Sequence, residues 1–423
     1  MTKVGALSTV GYHHASMPLL VNGRSYSWPS LPVVVICFDG CDPSYLEAAE
    51  AAGVIPTLSS LMRHGYFGTA LAAMPTFTNP NNISIVCGAA PSVHGIAGNY
   101  YLDRATGREV MMLDGERMRA DTILARFSAA GAKVAIVTAK DKLLKSLARG
   151  FSGTACSAES AAQAINLIGS IPLPDSQEPD KYSADLSLFV LDAGIALLDR
   201  DRSDILYLSL SDYIQHKHAP EEPEALAFMR AVDDRIATLL AKGAVIGIVA
   251  DHGMNDMALP DGAANVVFLE DLIEQEFGKG TARVICPITD PFVRHHASLG
   301  GFVRVYLKRA DVSRDSVAAL LASVLGVQSV LSAAEACKLY ELPGEGEGDL
   351  VVVAERGVAL GARAEEHDLS ALAGTRLRSH GGTSEQKVPF ILSHPLKPDY
   401  AGRARKGLRN FDIFDYALNG VKL

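Results

Sequence analysis

The chain has 423 residues, of which 48% are hydrophobic and 21% charged, a balance that suits a folded globular protein and excludes a disordered one. With 39 Lys and Arg against 48 Asp and Glu the formal net charge is −9, and no long basic run interrupts it. A nucleic-acid backbone is therefore not an expected partner, whereas a small phosphate-bearing substrate stays open because bound metal ions supply local positive charge.

Residues 1–31 are expected to be irregular and to wrap the surface. They contain no basic stretch followed by an apolar core, and no apolar run in the chain reaches the ~18 residues of a membrane span. Six scattered cysteines without a C-x-x-C pair read as reduced thiols, so the expected location is cytoplasmic, with no membrane partner. From Pro32 onward strands and helices alternate. VVVICF (33–38) leads into a helix starting near Pro43, and a second helix covers 56–64. An amphipathic segment at 121–130, stopped by Gly131, precedes KVAIVT (133–138). Helices at 184–200 and 222–242 precede ILYLSL (205–210) and VIGIVA (245–250), and VPFILS (388–393) is a late strand. This alternation predicts a three-layer α/β/α sandwich around a mainly parallel sheet. After Met257 the composition shifts to several strands with few helices. Residues 258–370 are thus expected to form an inserted α+β cap between core segments 1–257 and 371–423, placed to act as a lid.

Three Asp residues stand directly beyond buried-strand patterns: Asp39, Asp212 and Asp251, the last two joined by His216 and His252. Continuous Val/Ile/Leu runs mark strands buried on both faces, and ligands of such sheets sit at the strands' carboxyl ends. With His380 farther on, these residues read as a polynuclear metal site, since mixed carboxylate and imidazole donors suit Zn²⁺, and Mn²⁺ or Fe²⁺ less well. Taken singly, each Asp would serve equally as a helix cap. In Met74-Pro-Thr-Phe-Thr-Asn-Pro-Asn-Asn82, Pro80 fits a first helical turn, which puts Thr78 at a helix start, where its hydroxyl faces unpaired N–H groups. Thr78 is the candidate nucleophile and Thr76 the competing one. Asn99, in a turn-rich segment, offers an amide to a transferring phosphoryl group, or is simply a turn residue. Lys140 and Lys142 follow a strand and reach the same sheet edge, either to hold an anionic group of a substrate or as a solvated basic turn. The pairs His13-His14, His295-His296 and Met111-Met112 are read as structural, as is Trp28. No phosphate-binding G-x-x-x-x-G-K-[ST] loop or G-x-G-x-x-G turn follows a strand, which removes the common NTP and NAD readings.

Together FDG at Asp39, PTFTNPNN at Thr78, SVHGIAGN ending at Asn99, SDYIQHKH, ADHGM and SHGG resemble the alkaline phosphatase superfamily. The likeness is to its nucleotide pyrophosphatase/phosphodiesterase-like branch and runs in family order outside the insert. The resemblance implies two zinc ions, one on Asp212, His216 and His380, the other on Asp39, Asp251, His252 and Thr78. It implies attack by Thr78 on phosphorus, giving a phosphothreonine that is then hydrolysed. Asn99, His216 and His380 would also face the substrate. The C-x-P-x-R nucleophile of sulfatases is absent, and the phosphoglycerate mutases of this superfamily normally carry Ser at that place. Within the branch, TFTNPNN, VTAKDK and the size of the insert resemble the phosphonoacetate hydrolases. That implies a small anionic phosphonate substrate whose carboxylate is held by Lys140 and Lys142; the alternative is a nucleotide pyrophosphatase/phosphodiesterase, for which Phe77 and Tyr213 are the aromatic candidates. A homodimer is compatible with the sequence but not read from it.

Overall fold

The computed structural model describes residues 17–111, 115–169, 179–180, 182–200, 203–289, 296–372 and 374–423. Its centre is an eight-stranded sheet in the order Leu408–Arg409, Tyr66–Leu71, Lys387–Leu392, Val245–Val249, Val33–Cys37, Ile205–Ser209, Val134–Thr138, Thr154–Ser157. Only Lys387–Leu392 runs antiparallel to its neighbours. The strands Val33–Cys37, Ile205–Ser209, Val134–Thr138 and Val245–Val249 are buried at every position, as both-face coverage by helices requires. Pro43–Ala51, Pro56–His64, Asp185–Arg200 and Pro223–Ala241 pack together as one helical layer. Thr78–Cys87, Ile123–Ala129 and the C-terminal turn Ile413–Asp415 form the other. This is the expected α/β sandwich with a mixed, mainly parallel sheet.

Two expectations need correction. Within the segment read as irregular, Leu19–Val21 and Arg24–Tyr26 pair as a hairpin across Asn22 (φ 48°) and Gly23 (φ 80°), and Tyr26 is fully buried. Asn-Gly is the strongest short-range hairpin signal because both residues tolerate positive φ, so this element was legible. Residues 1–16, with His13 and His14, lie outside the described residues, as do Met112 and His295. The second correction concerns only the number of helices after Met257: the described residues of that segment hold three α-helices, Leu269–Phe277, Arg314–Ala322 and Ala333–Tyr340. They accompany a four-stranded antiparallel sheet in the order Ala282–Ile285, Phe302–Leu307, Leu350–Ala354, Val327–Ser332.

That second sheet has its own apolar core, and Met74, Phe77 and Ala97 from the first half of the chain belong to it. Phe77 is 1% exposed and meets Phe302 edge-on, with ring centroids 6.3 Å apart. It leaves no room at Gly381, where an added Cβ would lie 2.5 Å from the Phe77 ring. The inserted segment is thus bolted to the residue that precedes Thr78. Phe77→Ala is expected to lower the unfolding free energy by about 3–5 kcal/mol in chemical denaturation. Phe77→Leu, which keeps most of the volume, is expected to cost less than about 2 kcal/mol. A Phe77→Ala protein as stable as wild type would show that loop and insert do not share a core.

Candidate active site

The parallel strands deliver three carboxylates to one edge. Asp39 lies two residues beyond Val33–Cys37, Asp251 two beyond Val245–Val249 and Asp212 three beyond Ile205–Ser209, with exposures of 1%, 0% and 3%. None acts as a helix cap. Asp42 caps the helix Pro43–Ala51 by accepting from the Ser44 N–H, and Asp212, although it precedes Tyr213–Lys217, makes no side-chain cap bond. Gly40 (φ 67°) makes the sharp turn after Asp39, and a Cβ there would press on the Asp212 Cβ at 3.0 Å. The Gly40 N–H donates to Asp251 Oδ1 at 3.2 Å.

Three buried histidines complete the cluster, and each turns Nδ1 to a backbone carbonyl: His216 to Arg378 O at 2.6 Å, His252 to Gly253 O at 2.9 Å, and His380 to Thr76 O at 2.7 Å. Donation from Nδ1 leaves the Nε2 lone pair pointing inward, the tautomer a metal ligand needs. His252 Nε2 stands 3.2 Å from Asp39 Oδ1 and 3.8 Å from Asp251 Oδ2. His216 Nε2 is 2.8 Å and His380 Nε2 3.8 Å from Asp212 Oδ2. The donors fall into two sets, Asp39–Asp251–His252 and Asp212–His252–His380, with ligand atoms in each within 4.8 Å of one another. His252 joins the two sets, its ring stacked on that of His380 at 3.5 Å. His216 attaches through Asp212 rather than as a member of either set.

The electrostatics of this cluster call for cations. Burial, then Asp212 and Asp251, push the Asp39 carboxyl well above the usual carboxylate range. Burial, and then Asp212, raise Asp251 to about 7. His380 is held neutral by burial and by the neighbouring His252 and His216 rings. His252 moves the other way: burial opposes its charge, but Asp39, Asp212 and the Gly253 carbonyl together outweigh that and raise it. Oxygen and imidazole donors converge in this buried site, and among the described residues Asp39 Oδ1 has no partner beyond the His252 ring 3.2 Å away, an arrangement that fits metal ions.

Thr78 is the first residue of the helix Thr78–Cys87 and is half-buried, with its Oγ1 3.1 Å from His252 Nε2. Thr76, the competing residue, is fully buried; its hydroxyl donates to Gly382 O at 2.8 Å and accepts from the Gly381 N–H at 3.0 Å. It is thus committed to holding the His380 loop. Lys140 Nζ reaches within 3.6 Å of Asp212 Oδ1, while Lys142 is half-buried in the first turn of Asp141–Leu147. Asn99 is 8% exposed, its N–H donating to Pro287 O at 2.7 Å and its Oδ1 buried without a hydrogen-bond partner among the described residues.

Two residues escaped the sequence reading. Asn82, fully buried, donates to Asp251 Oδ2 at 3.1 Å and to Thr78 O at 3.0 Å, and accepts from Tyr207 and Ser209. Its place four residues after Thr78, on the same helix face, was the available signal. His296, assigned to structure, is buried with its ring 5.3 Å from that of His216, and nothing local in the sequence marks that contact.

The chain is similar to known proteins over most of its length. The family model for type I phosphodiesterase / nucleotide pyrophosphatase matches residues 33–383. The crystal structure of phosphonoacetate hydrolase from Sinorhizobium meliloti 1021 in complex with phosphonoformate superposes with a TM-score of 0.88 at 44% identity, covering 95% of this chain and 98% of that one. Its complex with phosphonoacetate matches at 43% with the same coverage. Murine ectonucleotide pyrophosphatase / phosphodiesterase 5, at 16% identity and a TM-score of 0.62, shares the fold. A phosphonoacetate hydrolase of Penicillium oxalicum is 58% identical over 41 residues, which span 57% of its length and 9% of this chain. The chain belongs to the type I phosphodiesterase / nucleotide pyrophosphatase family, in its phosphonoacetate hydrolase group.

Proposed function

We propose that the protein hydrolyses the P–C bond of phosphonoacetate to acetate and phosphate through a phosphothreonine on Thr78. The observation that carries this reading is Lys140, a cation standing at the rim of the carboxylate–imidazole cluster, 3.6 Å from Asp212. Breaking a P–C bond requires carbon to depart with the electron pair, which a simple alkyl group does poorly. The adjacent carboxylate of phosphonoacetate spreads that charge into an enolate-like species. Lys140 and Lys142 bind this carboxylate and gain strength as its charge grows, a transition-state effect. Thr78 loses its proton, its oxygen bonds to phosphorus, the P–C bond breaks and the acetate carbon takes up a proton. Water then cleaves the phosphothreonine, while the Asn99 amide donates to a phosphoryl oxygen. Asp39, Asp251, His252 and Thr78 would hold one zinc ion, and Asp212, His216 and His380 the other, with His216 and His380 also facing the substrate. The pair supplies Lewis-acid stabilisation of charge on the reacting oxygens. Residues 258–370 serve as a cap on a core made of 1–257 and 371–423. The cytoplasm suits six unpaired cysteines, five of them buried. Among the described residues no helix is long and apolar enough to cross a membrane.

A phosphodiesterase reading keeps one supporting observation, the Tyr182–Tyr213 pair beside Asp212, with centroids 6.1 Å apart. Phe77, the other aromatic candidate, is buried in the insert's core and cannot stack on a base. Phosphate release from phosphonoacetate, run beside a bis-aryl phosphodiester, separates the two. Lys140→Ala/Lys142→Ala is expected to lower phosphonoacetate turnover by roughly 10²-fold or more and to leave the diester little changed. Diester turnover alone, untouched by the mutations, would move the protein to the phosphodiesterases.

Thr78→Ala is expected to abolish turnover with metal content largely intact, as measured by elemental analysis. Loss of turnover in Thr76→Ala, with Thr78→Ala active, would put the nucleophile at Thr76. Metal binding is expected to compete with protons, because burial and the neighbouring carboxylates raise the proton affinity of Asp39 and of Asp251, the latter to about 7, and a cation must displace a proton held there. Lowering the pH therefore weakens binding, by about tenfold per pH unit for each proton displaced. Chelator competition between pH 6 and 8 measures the slope, and a flat profile would contradict the assignment.

A further inference from the structure

Asn99 is held from the inserted segment. Its N–H donates to Pro287 O at 2.7 Å, and two residues earlier Ala97 O accepts from Arg304 Nη2 at 2.9 Å. Gly98 between them sits so close that an added Cβ would lie 2.7 Å from Pro287 Cβ. Arg304 is itself fixed by Glu347, with Nε to Oε2 at 2.6 Å and Nη2 to Oε1 at 2.7 Å, a bidentate pair in which both residues are buried (2% and 5% exposed). The guanidinium lies 5.5 Å from the centre of the Phe302 ring, which packs edge-on against Phe77, the neighbour of Thr78.

A buried ion pair is a weak source of stability, since well-packed apolar residues usually replace it without loss. Here its geometry performs a task that apolar residues cannot, because one guanidinium nitrogen is shared between the Glu347 carboxylate and the backbone carbonyl of the Asn99 segment. We propose that the Arg304–Glu347 pair is a positioning device that fixes the Asn99 amide relative to Thr78, so that the inserted segment sets the reaction rate without touching the substrate. The inference rests on the assignment of Asn99 to the phosphoryl group.

The test is steady-state phosphate release from phosphonoacetate by the zinc-loaded full chain. The variants are Arg304→Met/Glu347→Leu, which removes both charges together, Arg304→Lys, Asn99→Ala, and Asn99→Ala combined with the double substitution. Misplacing a catalytic amide by about 1 Å costs on the order of 10²-fold. The double variant is therefore expected to keep its metal content and cooperative unfolding, to lose roughly 10- to 100-fold in kcat with little change in KM, and to add nothing to the loss caused by Asn99→Ala. Arg304→Lys retains a charge opposite Glu347 but has no planar fork to span carboxylate and carbonyl, so it is expected to show the same kcat defect and keeps the test open should the double variant fail to fold. A wild-type kcat in a folded pair variant, or in Arg304→Lys, with Asn99→Ala defective, would overturn the inference alone, and so would losses that multiply. An Asn99→Ala enzyme that turns over normally would overturn the assignment of Asn99 and the inference with it.

Discussion

Three carboxylates buried together at the ends of adjacent strands are the constraint on which this protein depends. Like charges in a low-dielectric setting repel strongly, and burial alone already disfavours each anion. The chain answers with imidazoles whose Nε2 atoms point inward, each fixed by a backbone carbonyl at Nδ1 on the far side of the ring. This arrangement makes sense only around cations. It also accounts for the hydrogen bonds around it: the Gly40 turn, the Asn82 amide and the Thr76 hydroxyl each hold a segment that carries a donor.

The Thr78 segment is tied to both halves of the fold. Through Asn82 it is hydrogen-bonded to Asp251 in the sheet, and through Phe77 it is packed into the inserted antiparallel sheet. Thr78 therefore sits where the main sheet, the helix start and the insert meet. The Asn99 segment makes the same kind of link from the other side, through Pro287 and Arg304. An insert joined in this way is packed and hydrogen-bonded to the two segments that carry Thr78 and Asn99.

Much of the site was legible in the sequence because it is built at strand ends. A buried parallel strand announces itself as an apolar run, and the polar residue that follows must lie at the carboxyl edge of the sheet, so Asp39, Asp212 and Asp251 could be assigned to one edge. The helix start at Thr78 was marked by Pro80 in the same local way. The hairpin at Asn22-Gly23 was equally local and was passed over. Strands such as Tyr66–Leu71 and Thr154–Ser157 lack a continuous apolar run, and several of their residues are only partly buried or exposed, so they gave no comparable signal.

What the sequence by itself determined is the kind of chemistry, because strand periodicity, helix punctuation and donor type are properties of a few neighbouring residues. What only the tertiary structure decided is which residues cooperate at long range. His252 stands between two donor sets, Thr76 serves a loop some three hundred residues away, His296 lies beside His216, and Arg304 reaches the backbone that carries Asn99. None of these contacts has a local signature, because each arises where separate segments are packed side by side and a buried polar group must find whatever partner that packing brings within reach.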